Sequence, residues 1–169
     1  MKEKETFCAA LFLAGKPIEL ATLQRIAAAD ADRLAAFASE FNGLSIGLHI
    51  RSVGGGYQMV ADPALSEDLE SFFGEKSETL SRNALETVSI IAYKQPVTKA
   101  EVDQIRGVDS SGSMRTLIDK NFITVSGRKN VAGKPLLYIT TPYFLEHFGL
   151  EDLSELPTFK EWKELRGNL

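Results

Sequence analysis

Few side chains in this 169-residue chain have the type and spacing to do chemistry. His49 and His147 are its only histidines. One falls in an expected strand and the other in an expected closing helix, and both read as ordinary surface or core histidines. The single cysteine, Cys8, lies in the apolar run Cys8 to Ala14 and reads as a small buried hydrophobe. One cysteine also excludes an internal disulfide framework and a CxxC metal knuckle. A Cys8 nucleophile would require an exposed, reactive thiol. Gly54-Gly55-Gly56 has the glycine density of a phosphate loop but lacks the Lys-Ser/Thr and the helix that should follow. Between two extended runs it reads as a hairpin tip. Glu151, Asp152 and Glu155 could face a cation, yet they interleave with Leu150, Leu153 and Leu156 as an amphipathic turn does. Arg128, Lys129 and Lys134 form a compact cation cluster in GRKNVAGKP. Three readings stay open for it: a solvated hairpin tip, a contact for an acidic protein, or weak phosphate contact. The expectation is a protein that is not an enzyme, with no catalytic residue, cofactor or metal.

The elements that carry these residues come in two rounds. Thr6 to Ala14 is an apolar helical run stopped by Gly15 and Pro17. After an extended Ile18, the stretch Glu19 to Ala28 sets Leu20, Leu23, Ile26 and Ala27 on one helical face. Asp30 is placed to cap a third helix bearing Leu34, Phe37, Ala38 and Phe41, which Asn42-Gly43 ends. LSIGLHIRSVGGGYQMVA reads as a hairpin, and a last helix holds Leu65, Leu69, Phe72 and Phe73. Gly74 to Ser77 is the expected linker. The second round runs from Ser81 to Lys94, with Leu85, Val88 and Ala92 inward, then through a Thr98–Glu101 capping box over Lys99 to Arg106. Ser113 is expected to cap a third helix with Met114, Leu117 and Ile118 inward. Phe122 to Ser126 and Leu136 to Thr140 make a second hairpin, and Pro142 opens a helix with Phe144, Leu145 and Phe148. Sliding the chain by 79 residues superposes Pro17 on Pro96, Leu44 on Ile123, Gly54 on Gly133 and Pro63 on Pro142. Three helices followed by a hairpin is the winged-helix plan. The fold class is therefore mainly α with small β-hairpin wings (α+β), as two tandem winged-helix domains.

Composition agrees with a folded protein. Hydrophobic residues are 44% and charged residues 25%, near globular averages. The Cys8 to Ala14 run is far short of the ~20 residues that span a bilayer, and MKEKET does not open a cleavable signal. A soluble cytoplasmic protein with no membrane contact is expected. The net charge of −4 is unevenly spread. Residues 1–75 carry six basic and eleven acidic side chains, whereas 76–150 carry ten and seven. Phosphate contact would have to come from the middle block.

A winged helix that reads DNA lays its third helix in the major groove and its wing on phosphates. In the first unit that helix would offer Asp30, Asp32, Arg33, Ser39 and Glu40, and three acids against one base are repelled by the backbone. The second offers a mixed Ser110, Ser111, Arg115, Thr116, Asp119 and Lys120. Two winged helices without a basic reading helix point to protein partners. Phe72, Phe73, Phe144, Phe148, Leu150 and Leu153 are apolar candidates for that contact, although core packing of a terminal helix is the first explanation for most of them.

The second unit also resembles a known family. ALETVSIIAYKQPVTKAEVDQIRGV (84–108), SGRKNVAGKPLLYITTPYFLEHFGL (126–150) and LEDLSELP (150–157) are similar, in order and spacing, to the ScpB family of bacterial segregation and condensation proteins. The first unit matches in outline, through its L-F-L-A-G-K-P-I turn and GGGYQ wing. The resemblance implies a non-catalytic subunit of the SMC–ScpA–ScpB condensin-like complex, acting in chromosome condensation and segregation. It implies a homodimer joined through an N-terminal domain (1–77), a kleisin-binding C-terminal domain (78–157) and a short tail (158–169). ScpA, the kleisin, is then the direct partner, the SMC ATPase is reached through ScpA, and DNA is met at most indirectly or weakly near the nucleoid. The candidate protein-binding residues are Arg106, Arg128, Lys129, Lys134, Tyr138, Phe144, Phe148 and Leu150. The tail after Pro157 is shorter than in family members with a charged extension. A dimeric winged-helix transcription regulator is the alternative, and it requires the basic reading helix that the sequence lacks.

Overall fold

A computed structural model describes residues 2–73 and 79–158, with 71–73 as backbone alone. Among the described residues, 2–73 with 148–158 make one compact unit and 79–147 the other. Residues 148–157, expected in the second domain, thus fold with the first. The expected linker at 74–77 lies outside the described residues, as does the tail beyond Thr158.

The first unit opens with α1 (Lys2–Ala14), β1 (Ile18–Glu19), α2 (Leu20–Ala27) and α3 (Ala31–Asn42). β2 (Leu48–Val53), β3 (Gly56–Ala61), a 3-10 turn (Pro63–Leu65) and α4 (Ser66–Phe73) follow. The three helices converge because each carries an apolar stripe: Phe7 and Leu11 on α1, Leu23 and Ala27 on α2, and Leu34, Ala38 and Phe41 on α3 are buried together with Ile50. Full burial of a Leu or Phe contributes about 1.5–3 kcal/mol. Phe7 is the hub, meeting Tyr57 edge-on at 5.7 Å and Phe37 at 6.2 Å between ring centres. Asp30 caps α3 as expected, its carboxylate accepting from the Arg33 amide at 2.9 Å. Asn42 ends α3 and also binds the edge of β2. Its side chain donates to the Ile50 carbonyl at 2.9 Å and accepts from the Ile50 amide at 2.8 Å.

The antiparallel sheet has the order β1-β3-β2. Gly54 and Gly55 turn the hairpin with φ of +59° and +71°, the left-handed pair that a two-residue hairpin demands. Gly56 pairs with Glu19, and a Cβ built there would stand 2.0 Å from the Ile18 carbonyl oxygen. The glycine triplet is thus two turn residues and one close backbone approach. The turn amides have partners as well: Gly54 donates to the Leu150 carbonyl at 3.0 Å and Gly55 to that of Glu151 at 3.1 Å.

The second unit repeats the plan with α5 (Arg82–Lys94), β4 (Val97–Thr98), α6 (Lys99–Arg106) and α7 (Ser111–Asp119). β5 (Ile123–Arg128), β6 (Leu136–Thr140) and α8 (Pro142–Phe148) complete it. The sheet order β4-β6-β5 is that of the first unit, and each unit is a winged helix. α1 and α5 both have 13 residues, β1 and β4 have 2, and α2 and α6 have 8. The repeat does not run without a gap. α3 has 12 residues and α7 has 9, and a long loop replaces the glycine turn of the first hairpin. Leu44 is consequently an exposed turn residue, whereas Ile123, aligned with it at constant offset, opens β5 in the core. Gly54 and Gly133 do correspond, both in turns with positive φ.

Ala84, Val88, Ile91, Val102, Met114, Leu117 and Phe144 form the core of this unit. Leu85, Ile118 and, in the first unit, Ile26 were expected inward, but they stand 39–46% exposed at the rims of their stripes. Ser110, not Ser113, precedes α7. Its hydroxyl is drawn to Asp103, and Asp109 accepts from the Ser111 amide at 3.2 Å.

The tight approach at Gly56 makes a direct test. Gly56→Ala should lower stability by about 3 kcal/mol or more, the upper end of overpacking costs, measured as a reduced urea midpoint. Gly112→Ala, with open space around its Cβ position, should leave the midpoint near the parent's.

Candidate functional site

The second unit gathers most of the expected binding residues on one scaffold, and a polar network sets it. Thr98 ends β4 and caps α6, while Glu101 reaches back to accept from the Thr98 amide at 2.9 Å and its hydroxyl at 2.7 Å. The other Glu101 oxygen accepts from Lys129 Nζ at 2.5 Å, so one carboxylate binds both the helix start and the wing. One turn on, Lys99 bridges Asp103 at 2.6 Å and Asp109 at 2.5 Å. Asp103 also accepts from the Ser110 amide at 2.8 Å, which fixes the α6–α7 corner around a fully buried Ser110. The Lys129 ammonium, seconded by the Thr98 donors, holds the Glu101 carboxyl down at about 2. The Lys99 ammonium, seconded by Ser110, holds Asp103 at about 2.

The expected residues separate into four places. Arg128, Lys129, Lys134 and Tyr138 belong to the wing. Tyr138 sits in β6 between Val97 of β4 and Val125 of β5, half-buried. Lys129 is not part of a free cation cluster, because Glu101 holds it; Arg128 spends its guanidinium on the Lys134 carbonyl at 3.0 Å. Arg106 ends α6 with its side chain only 4% exposed, donating to Glu86 of α5 at 3.1 and 3.3 Å. It borders an open cleft of about 580 Å³ whose walls include Asn83, Val108, Ser113 and Thr116. Phe144 is 3% exposed and packs α8 into the core, so it offers no contact. Phe148 and Leu150 fold with the first unit, Phe148 exposed and Leu150 half-buried.

Residues that invited chemistry have structural partners. Burial pushes the Cys8 thiol up, with Lys4 pulling partly back, which makes it a weaker nucleophile at neutral pH. His147 lies edge-on to Phe122, 4.8 Å between centres, and His49 stands opposite Val60 in the first hairpin. Asp152 caps the 3-10 turn Leu153–Glu155 through the Ser154 amide, and Glu155 accepts from the Glu151 amide at 2.6 Å. Among the described residues, no group of three His, Cys, Asp or Glu side chains could hold a metal, and no helix is long and apolar enough to cross a membrane.

Sequence reasoning did not find the surface of α1. Phe12 and Leu13 stand 68% and 82% exposed at its end. The signal was present in the sequence: the run from Cys8 to Ala14 is apolar all round, more than one buried stripe needs.

The family model of "Segregation and condensation complex subunit ScpB" matches residues 6–159. The Segregation and condensation protein B of Moorella thermoacetica is 45% identical, aligned over 89% of this chain and 80% of that protein. That of Syntrophotalea carbinolica is 43% identical over 93% of this chain and 82% of its own length. The crystal structure of ScpB from Mycobacterium tuberculosis is 31% identical, covers 88% of this chain and 95% of that one, and has a TM-score of 0.42. The chain belongs to the ScpB family. As an ScpB protein it is a chromosome segregation and condensation protein built of winged helices.

Within this ScpB chain the Glu101 network is open to titration. A carboxyl whose folded value lies below its ordinary one adds stability that is complete above the ordinary value of 4.5 and is lost as pH falls through about 2. The Glu101 side-chain carbon resonance, followed by NMR, should accordingly titrate near 2. In Lys129→Met its midpoint should move upward.

Proposed function

We propose that this ScpB-family protein is a non-catalytic, cofactor-free subunit of a bacterial SMC–kleisin complex. It acts as a homodimer that holds the kleisin ScpA, and through ScpA it meets the SMC ATPase. In this reading the first unit dimerises and the second, through residues 79–147, binds the kleisin, with Arg106, Arg128, Lys129, Lys134 and Tyr138 as contact candidates there and Phe148 and Leu150, which fold with the first unit, as further ones. DNA is met at most indirectly, in the cytoplasm at the nucleoid.

The observation that carries it is what the helix in the DNA-reading position displays. α3 turns Asp32, Arg33 and Glu40 outward, and Arg33 is paired with Glu3 and Lys4 with Glu40. Such a face is repelled by a phosphate backbone. The exposed Phe12 and Leu13 support self-association, since large apolar side chains at a helix end gain most from a partner surface. A flexible kleisin segment loses conformational entropy on binding, and two linked sites on a dimer offset that loss by effective concentration.

Sedimentation equilibrium tests the dimer. The parent should sediment as a dimer at micromolar concentration, and Phe12→Glu with Leu13→Glu should yield folded monomers, since two buried anchors of about 1.5–3 kcal/mol each would be lost. Calorimetry with the purified kleisin should give tight binding that Tyr138→Ala with Arg128→Glu weakens by about 10-fold or more, the loss of one modest hot spot. A parent that is monomeric, ignores the kleisin and binds duplex DNA with a steep salt slope would replace this reading with the regulator.

A further inference from the structure

A wing that serves a nucleic-acid-binding winged helix offers its cations to phosphates. In the second unit, some of the cations at positions a duplex would meet are bound to carboxylates of the same unit, whereas Arg128 and Lys134 of the wing are not. Lys129 of the wing is on Glu101 at 2.5 Å, Lys99 at the start of α6 is on Asp103 and Asp109 at 2.6 and 2.5 Å, and Arg115 of α7 lies 3.9 Å from Asp119. These pairs differ in kind. Arg115–Asp119 joins two exposed side chains on one helix, the type of pair that contributes little. Lys129–Glu101 is also partly exposed, at 42% and 39%, but it joins elements 28 residues apart and its carboxylate is already fixed by two hydrogen bonds from Thr98.

We propose that Glu101 is a charge-masking latch: it holds the wing of the second unit on α6, neutralises Lys129, and so selects against nucleic acid at the surface a winged helix would otherwise give to DNA. The geometry has two consequences. The wing loop is held at its base, where the Lys129 backbone amide donates to the Pro135 carbonyl at 2.9 Å and the Arg128 guanidinium to the Lys134 carbonyl. With Lys129 Nζ directed onto Glu101, the carboxylate offsets its charge and weakens its attraction for a phosphate outside the unit. Arg128 keeps its charge, as does Lys134, so removing the latch would complete a cluster of three cations on one loop. The surface then fits a partner segment of low net charge and resists a polyanion. This inference is independent of the kleisin reading, because it concerns a ligand the protein avoids.

The test compares Glu101→Gln, which retains an oxygen able to accept in the capping box, with Asp32→Asn on α3, an equal charge change in the other unit. Binding of a fluorescent mixed-sequence duplex is titrated across salt concentrations for the full chain. Glu101→Gln should bind at least about 3-fold more tightly than Asp32→Asn at low salt, with a log–log salt slope steeper by about 0.9, the signature of one more phosphate contact. Adding Lys129→Met should abolish that gain. Lys129→Met alone leaves the capping box untouched, and it should speed hydrogen exchange at the Lys129, Val131 and Lys134 amides relative to the parent. Equal DNA affinity for Glu101→Gln and Asp32→Asn, or unchanged wing exchange in Lys129→Met, would overturn the proposal.

Discussion

The structure depends on two very short backbone pairings. In each unit a two-residue strand leaves the first helix and pairs antiparallel with the returning arm of the hairpin. Ile18 and Glu19 lie on Tyr57 and Gly56, and Val97 and Thr98 on Tyr138 and Leu137. An isolated hairpin would be marginal in water, and so would each helix alone. The third strand joins them, so the wing cannot move without disturbing the start of the second helix. The two units meet this constraint differently. The first needs a glycine, because the Ile18 carbonyl occupies the space of a Cβ at position 56. The second uses Thr98 as strand end and helix cap together.

From that joint the chemistry of the second unit follows. The Glu101 carboxylate completes the cap at Thr98 and also lies within reach of the wing, where Lys129 meets it. Along the same helix Lys99 and Asp103, with Asp109 and Ser110 beyond it, close the helix–helix corner. A fold often used to read DNA here pairs several of its cations with its own carboxylates. What remains outward is an acidic α3, a second unit in which Lys99, Arg106, Arg115 and Lys129 are paired with its own carboxylates, and exposed apolar side chains such as Phe12 and Leu13. Those features favour protein partners over phosphate, in keeping with membership of the ScpB family.

Much of this fold was legible in the sequence, because local physics decides it. Asp30 and the Thr98–Glu101 box cap the helices they were expected to cap, and Gly54-Gly55 turns the hairpin. What was not legible depends on partners distant in sequence. Ser110 lies at the start of α7 as it does because Asp103, seven residues earlier, takes its hydroxyl and amide. Arg106 looks like a surface cation until Glu86, twenty residues away, pairs with it. Lys129 looks free until Glu101, 28 residues away, holds it. Leu85, Ile26 and Ile118 have the right helical phase but sit at the edge of their stripes, where periodicity cannot separate core from rim. The constant-offset repeat holds through the second helix of each unit and breaks where helix and wing lengths change.

On the proposed reading, these two winged helices form a protein-binding scaffold and not a DNA reader. Hydrogen-exchange footprinting of the intact protein tests it most directly, comparing the protein alone, with purified kleisin and with duplex DNA. On that reading the kleisin slows exchange in the second unit, at the β5–β6 wing and the end of α6, while DNA at physiological salt leaves every segment unchanged. Protection of α3, α7 and both wings by DNA, with none from the kleisin, would contradict it.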